Sequence, residues 1–270
     1  MNSKNLCGID IGCTNIKMMA VINNTPISKT IPSGDDFTRQ QLVDAIKNFY
    51  LSFKINFDGI GIAFSGCTSD SIRVDSTTLP CIQGFSVTDL ADLNCKNIKL
   101  INDSNAATLA GTIEYPNSKV LVGITNGTGI GCGVSIQGKL FTGSTGFLGE
   151  IYGNPILDEN GNVTKIGRIC SGSKILKKLN NSEFETDKKE IISQATIYLG
   201  ILLVQVINFY NPDVIYLSGG GFSFDNLLDN AIEFAKENSY SHLSKNIIFA
   251  KSIYQGYAGC VGAMKLVSEK

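Results

Sequence analysis

The sequence predicts an α/β protein of two lobes, each built on a mixed β-sheet. Two observations carry this. A strand, a polar turn and two further strands open the chain and recur from about residue 120, and segments with helical apolar spacing come after each copy. The chain has 270 residues, 43 % of them hydrophobic, which is enough for a core in each of two lobes of ordinary size.

In the first copy, residues 6–11 alternate as a strand, residues 12–15 turn, and residues 16–22 return as a hairpin. A turn that returns as a strand argues against a P-loop or dinucleotide-binding turn, both of which open a helix. Asn23-Asn24-Thr25-Pro26 turns the chain toward a third strand. Within residues 41–53, Leu42, Ile46, Phe49, Tyr50 and Phe53 recur at helical spacing. Residues 59–64 read as a buried strand, 89–93 as a helical turn, 98–101 as a strand and 104–113 as a helix.

The second copy has strands at 120–124, 130–136 and 139–141 around Thr125-Asn126-Gly127-Thr128-Gly129. The Asn/Gly/Asp-rich residues 154–165 form a hairpin or excursion loop. Helices come next from Ser173, through residues 188–210 and near residues 224–237, with strands at 214–217 and 247–250 and a last helix from about Tyr257. Residues 1–113 with the closing helix 257–270 are expected to form one lobe and residues 114–256 the other, with a cleft between them.

Charge and cysteine usage exclude several classes. The net charge of −1 without a basic run leaves no footprint for nucleic acid. The eight cysteines are scattered, no CxxC pair occurs, and His242 is the only histidine, so neither a disulfide framework nor a zinc site is expected. Cys170 stands alone, and His242 falls to a surface or helix end. No apolar run reaches the roughly 18 to 20 residues of a membrane helix, and no signal peptide precedes the first strand. A cytoplasmic protein with reduced thiols and no membrane partner is expected.

Four segments carry chemistry. Asp10, at a strand end, precedes a tight turn containing Gly12 and Thr14, with Lys17 on the returning strand. Such a turn either simply closes a hairpin or holds phosphate oxygens while Asp10 orients magnesium-bound water. Gly127, Thr128 and Gly129 form a second turn with few side chains, which lets a polyanion approach the backbone. Asn102-Asp103 ends a strand where a helix begins. Asp103 there either caps the helix or takes the proton of a hydroxyl during phosphoryl transfer, and its place between two phosphate-type turns favours the base. Gly219, Gly220 and Gly221 come after Ser218 at another strand end, where glycines either simply make a strand-to-helix turn or let the chain pass a nucleotide base.

These segments, in this order, resemble the ROK family of sugar kinases, relatives of hexokinase and actin. The resemblance runs from Gly8 to about Met264. It is most specific in residues 10–17, in Asn102-Asp103-Ser104-Asn105-Ala106-Ala107, in residues 127–131 followed by residues 143–150 (GSTGFLGE), and in residues 217–221. It implies the two-lobed actin/hexokinase-like (ribonuclease H-like) ATPase fold, ATP and magnesium as cofactors, a hexose or amino sugar as acceptor, and a homodimer. It also implies Asp103 as catalytic base, with Asn102 and Glu150 as sugar-binding groups. Three departures bear on the acceptor pocket. Where the family has Ile-Gly-His after its Gly-Glu pair, this chain has Ile151-Tyr152-Gly153, so the histidine is absent; the cysteine cluster and its accompanying sugar-binding glutamate are missing around Gly167-Arg168, and Thr78 replaces a sugar-contacting asparagine. The phosphate machinery is kept and the acceptor pocket is rewritten. The competing reading is a nucleotide-binding regulator or structural protein on the same fold. A DNA-binding repressor would need a helix-turn-helix ahead of a first strand that starts within six residues of the N-terminus.

Overall fold

The computed structural model describes residues 4–34 and 36–269. Along the chain, β1 (Leu6–Ile11), β2 (Asn15–Ile22) and β3 (Thr25–Pro32) precede α1 (Arg39–Leu51) and β4 (Gly59–Phe64). The short β5 (Gly66–Cys67) and β6 (Ser76–Thr77) lead to β7 (Ile98–Asn102) and α2 (Asp103–Glu114). Next come β8 (Val120–Asn126), β9 (Ile130–Ile136), β10 (Lys139–Leu140), β11 (Pro155–Leu157) and β12 (Val163–Lys165). Helices α3 (Gly167–Cys170), α4 (Gly172–Asn180) and α5 (Glu185–Tyr210) lead to β13 (Val214–Ser218). Helices α6 (Leu227–Asn238) and α7 (Ser241–Ser244), β14 (Ile248–Lys251) and α8 (Ala258–Ser268) close the chain.

The chain divides into two compact units. Unit 1 takes the chain up to Glu114, Thr142–Phe147 and the chain from Tyr257 on; unit 2 takes Tyr115–Phe141 and Leu148–Gly256. Thr142–Phe147, expected in the second lobe, thus groups with the first. Gly146, at φ +86°, explains why: its Cα rests beside the Thr68 carbonyl of unit 1, and a Cβ there would lie 3.4 Å from that oxygen.

The duplication read from the sequence is borne out strand by strand. The unit 1 sheet has the order β3-β2-β1-β4-β7 and the unit 2 sheet the order β10-β9-β8-β13-β14. In each, the first three strands form an antiparallel meander and the last two run parallel to the first. All six residues of β4 are buried, as a central strand covered on both faces requires.

In unit 1, α1 starts at a reciprocal cap in which the Thr38 side chain accepts from the Gln41 N–H and the Gln41 side chain accepts from the Thr38 N–H. It buries Leu42, Val43, Ile46, Phe49 and Tyr50 against a core shared with Ile9, Ile11, Ile60 and Ile62. Helix α8 packs on α2, β1 and β4. Its sequence, AGCVGAMKLVS, is rich in small residues because its backbone lies directly on neighbouring backbone. At Gly61 of β4 a Cβ would overlap the Ala263 carbonyl, and at Gly262 of α8 it would overlap the Ala106 carbonyl of α2.

In unit 2, α5 and α6 pack together over the sheet. Helix α5 has 26 residues and is long and apolar enough to cross a membrane by length and composition, contrary to the expectation from apolar runs alone. Its apolarity serves a core: Ala195, Leu199, Leu202, Leu203, Val206 and Ile207 are buried among Val122, Ile215, Leu228 and Ala231. Residues 154–165 form the expected hairpin, with β11 paired to β12 and the Asp158 carboxylate accepting the Asn160 and Asn162 N–H groups. Cys170 is buried in unit 2, and burial pushes its thiol up to about 12. His242 is exposed on α7, its ring 5.7 Å from that of Tyr240.

The backbone contact between α2 and α8 leaves no room for a methyl group. Gly262→Ala is expected to destabilise the protein by roughly 3 kcal/mol through overpacking. Urea unfolding followed by circular dichroism measures this, and a loss below about 0.5 kcal/mol, the scatter of an unconstrained surface change, would contradict the packing.

Candidate active site

The chemistry-bearing residues of unit 1 gather at one edge of its sheet. Ile11, Phe64 and Asn102 are register partners across β1, β4 and β7, and each ends its parallel strand. Asp10 lies just before this row and Asp103 just after it. Two interstrand spacings of about 4.8 Å separate their strands. The carboxyl ends of parallel strands are where open α/β sheets bind ligands, because helices start there with unpaired N–H groups.

Asp10 faces Lys17 across the β1–β2 hairpin. The turn between them is closed by the Gly12 N–H donating to the Asn15 carbonyl at 3.0 Å. Ser33 braces it, its N–H donating to the Thr14 carbonyl and its hydroxyl to the Gly12 carbonyl. Thr14 is exposed. On the other side, a Cβ at Gly259 would lie 2.6 Å from the Asp10 carboxyl carbon, so glycine there admits the carboxylate to the first turn of α8. Burial pushes the Asp10 carboxyl up to about 6, with the Lys17 ammonium pulling the other way.

The N-cap of α2 is Asn102, not Asp103. The Asn102 Oδ1 accepts the N–H groups of Ser104 and Asn105 at 2.9 and 3.0 Å, and its Nδ2 donates to the Gly66 carbonyl at 2.9 Å. Its acceptor oxygen is committed to the helix, which leaves one amide hydrogen for a ligand. Asp103 is the first residue of α2, half-buried, and its Oδ1 also accepts the Ser104 N–H at 2.8 Å. Gly66 pairs with Thr77, and exposed Thr78 is the next residue, so Thr78, Gly66 and Asn102 belong to one neighbourhood.

Unit 2 carries the glycine-rich segments. Asn126 organises them, a role that sequence reasoning missed. Fully buried, it donates from Nδ2 to the Cys170 carbonyl at 3.1 Å and accepts the Gly172 N–H on Oδ1 at 2.8 Å. A Cβ at Gly221 would meet that same Oδ1 at 2.5 Å. One amide therefore joins the Gly127–Gly129 turn, the start of α4 and the glycine run after β13. An asparagine closing a strand beside a Gly-Thr-Gly turn was the available signal. Ser173 adds two bonds to the turn, from its N–H to the Gly127 carbonyl at 2.9 Å and from its hydroxyl to the Thr128 carbonyl at 2.6 Å.

The remaining glycines answer to no packing demand. Gly127 and Gly220 have no atom within 4 Å of a Cβ position, and Gly129 has only the Tyr152 ring at 3.9 Å. None of the three has a positive φ. Space left open on the exposed face of a turn is what close approach of a phosphate or a ring uses. Gly219, at φ +106°, packs on the Asn126 backbone.

Two further segments of unit 2 hold residues singled out from the sequence. Glu150 is exposed and lines, with Asn154, Gln205, Val206, Phe209 and Tyr210, a groove of about 270 Å³ along α5. Tyr152 lays its ring directly on Gly167, and Arg168 beside it is exposed.

Residues 6–270 match the model of the ROK family. The chain belongs to the ROK family. An N-acetylmannosamine kinase of Haemophilus influenzae is 28 % identical over 200 residues, covering 69 % of this chain and 66 % of the relative, so the chain spans just under two thirds of that protein. The xylose repressor of Staphylococcus xylosus is 26 % identical over 186 residues, 59 % of this chain and 48 % of the repressor. The crystal structure of a ROK family protein from Streptococcus pneumoniae TIGR4 in complex with sucrose superposes with a TM-score of 0.81 at 19 % identity, covering 97 % of each chain. The fold is thus the actin/hexokinase-like fold of ROK kinases, and ROK relatives include both kinases and repressors.

The raised Asp10 pKa has a sign that can be tested. Its folded value of about 6 lies above the ordinary 3.8, so the native state holds this proton more tightly than the unfolded chain. Stability is therefore lost as pH rises from about 4 to about 6, and the cost is constant above that. Asp10→Asn removes the ionising group. Its melting temperature is expected to match wild type near pH 4 and to exceed it increasingly up to about pH 6.5, read by thermal unfolding across pH. A variant less stable than wild type at neutral pH would show that the ionised carboxylate stabilises this site.

Proposed function

We propose that this ROK family chain is an ATP-dependent sugar kinase, transferring the γ-phosphoryl group to a hydroxyl of a hexose or amino sugar with Asp103 as general base. The observation that carries this is the pair of carboxylates at the carboxyl ends of parallel strands in one sheet, with the cap role already filled by Asn102. The structural duty that otherwise explains an aspartate at a helix start thus falls to its neighbour.

The residues fit the groups this reading requires. The open Gly127–Gly129 turn and Gly220 suit a nucleotide, with Thr128 and Thr14 hydroxyls and Lys17 as donors to phosphate oxygens. Asp10, whose carboxyl burial raises to about 6, is ionised at neutral pH at a desolvation cost that a cation opposite it would offset. Magnesium supplies neutralisation of phosphate charge, and Asp10 would hold it through water. Asp103 takes the hydroxyl proton of the acceptor as the phosphoryl group arrives, which raises the nucleophilicity of that oxygen. Glu150, Thr78 and the remaining amide hydrogen of Asn102 would orient sugar hydroxyls. The histidine is absent from Ile151-Tyr152-Gly153 and the glutamate has no counterpart near Gly167-Arg168, so the acceptor pocket is rewritten relative to the family. The N-acetylmannosamine kinase relatives support an amino sugar as the first acceptor to try.

The competing regulator reading is favoured by the xylose repressor relative. It predicts ligand binding without turnover, so ATP consumption across a panel of hexoses and amino sugars separates the two.

With an acceptor in hand, Asp103→Asn is expected to lower kcat by at least roughly a hundredfold, the lower bound for a lost general base, with ATP affinity and melting temperature near wild type. Retention of most activity would exclude Asp103 as the base. Glu150→Gln is expected to raise the KM for the sugar while leaving ATP binding alone, measured by the same assay and by calorimetry; loss of ATP binding would remove Glu150 from the acceptor site.

A further inference from the structure

The groove along α5 extends beyond the segments that carry the family resemblance. Of the residues that line it, only Gly149 and Glu150 belong to such a segment; Asn154, Gln205 and Phe209 lie outside all of them. Leu202, Gln205, Val206 and Phe209 are spaced i, i+3, i+4 and i+7, so they share one face of α5. Leu202 and Val206 are buried in the core of unit 2. The stripe then runs on to Phe209, which is 81 % exposed, the highest value for a large apolar side chain among the described residues. A core-facing stripe thus ends in an aromatic ring that the protein leaves uncovered at the groove.

The polar groups beside this ring are partly held in place. Asn154 and Gln205 are half-buried, and the Asn154 Nδ2 donates to the Gln205 Oε1 at 3.1 Å. The Asn154 backbone is fixed as well, its N–H donating to the Ile151 carbonyl and its carbonyl accepting the Ile166 N–H. Whichever way two such amides are turned, their mutual bond leaves one carbonyl oxygen and one NH2 group over. Here these are the Asn154 Oδ1 and the Gln205 Nε2, which enter no other hydrogen bond among the described residues. An acceptor and a donor side by side match two neighbouring hydroxyls. No lysine, arginine or histidine lines the groove, and Glu150 does, so a neutral ligand suits it better than an anion. At about 270 Å³ it falls near the lower end of small-molecule sites, roughly 300 to 1,000 Å³, which is room for one sugar ring and not for an extended ligand.

We propose that the α5 groove is a second sugar subsite continuous with Glu150, so that the acceptor is a disaccharide and not a single ring. One ring is oriented by Glu150, and the ring joined to it through the glycosidic bond lies against Phe209 with vicinal hydroxyls on the Asn154 Oδ1 and the Gln205 Nε2. This rests on the proposed assignment of Glu150 to the acceptor and deepens it by naming the size of the acceptor and the residues that select it.

Calorimetric titration of the full chain with glucose, cellobiose and maltose, and with N-acetylglucosamine and its β-1,4-linked dimer, tests the subsite without requiring turnover. At least one disaccharide is expected to bind about tenfold more tightly than the ring it contains, the effect of covering roughly 60 Å² of apolar surface. Phe209→Ala is expected to remove that tenfold and leave the single ring unchanged, while Phe209→Trp keeps it. Gln205→Ala is expected to weaken the disaccharide alone by about fivefold, as loss of one hydrogen bond does. Circular dichroism checks that each variant is folded, and sedimentation reads its oligomeric state. If no disaccharide binds more tightly than its single ring, the proposal fails, whether or not a single ring is phosphorylated. A disaccharide preference that survives both Phe209→Ala and Gln205→Ala overturns it too. Phe209-dependent binding that Glu150→Gln leaves untouched breaks the continuity with the acceptor. Conversion of a dimer to a monomer by Phe209→Ala, with every sugar affinity unchanged, would make the groove an interface between copies instead. Phe209-dependent disaccharide binding in a protein that consumes no ATP supports the subsite and defeats the kinase reading.

Discussion

The backbone of α8 lies in direct contact with β1, β4 and α2, and the strand-end edge of unit 1 that carries Asp10 and Asp103 depends on that closeness. With glycines at positions 61 and 262, the helix meets the sheet and its neighbouring helix at separations no side chain would permit. The same closeness admits Asp10 to the first turn of α8 at Gly259. Thus the last helix of the chain and the first strand share one environment for the Asp10 carboxylate. Sequence separation of some 250 residues is bridged by packing alone, as a non-local fold requires.

The two units use one device twice. In unit 1, Asn102 ends a parallel strand, caps α2 with its Oδ1 and ties back to the Gly66 carbonyl. In unit 2, Asn126 ends a strand, accepts the Gly172 N–H at the start of α4 and ties back to the Cys170 carbonyl. A short amide has the donor and acceptor to satisfy a helix start and a neighbouring loop at once, which fixes both without a charge to desolvate. Each asparagine positions the group next to it in the chain, the Asp103 carboxylate in one unit and the glycine turn in the other.

The charges are distributed in accordance with this division. Unit 1 presents carboxylates at its strand ends, the groups that the proposed kinase reading assigns to a cation and a hydroxyl proton. Unit 2 presents open glycine positions at its turn, which the same reading assigns to phosphate oxygens. Burial raises the Asp10 carboxyl to about 6, so its ionised form carries a desolvation cost that a cation would offset.

Much of this was legible in the sequence. The repeated strand-turn-strand pattern revealed the duplicated sheets because alternation of apolar residues is a local property that tertiary contacts seldom overturn. The Asp10 turn, Asp103 and the glycine segments were legible because their residue types are unusual where they stand. Other features needed the tertiary structure. Asn102 rather than Asp103 caps α2, since the helix starts one residue earlier than its apolar spacing shows. Thr142–Phe147 belongs to unit 1 because it packs on residues remote in the chain. Helix α5 is apolar enough for a membrane yet buries its residues against a sheet, and composition cannot tell those two environments apart. The side-chain bonds of Asn126 join residues 44 and 46 positions apart, which no local pattern records. Sequence by itself determined the duplicated elements and marked the candidate segments, through period and residue type; only tertiary packing decided which residues within each unit meet, because their contacts are set by strand register and backbone approach.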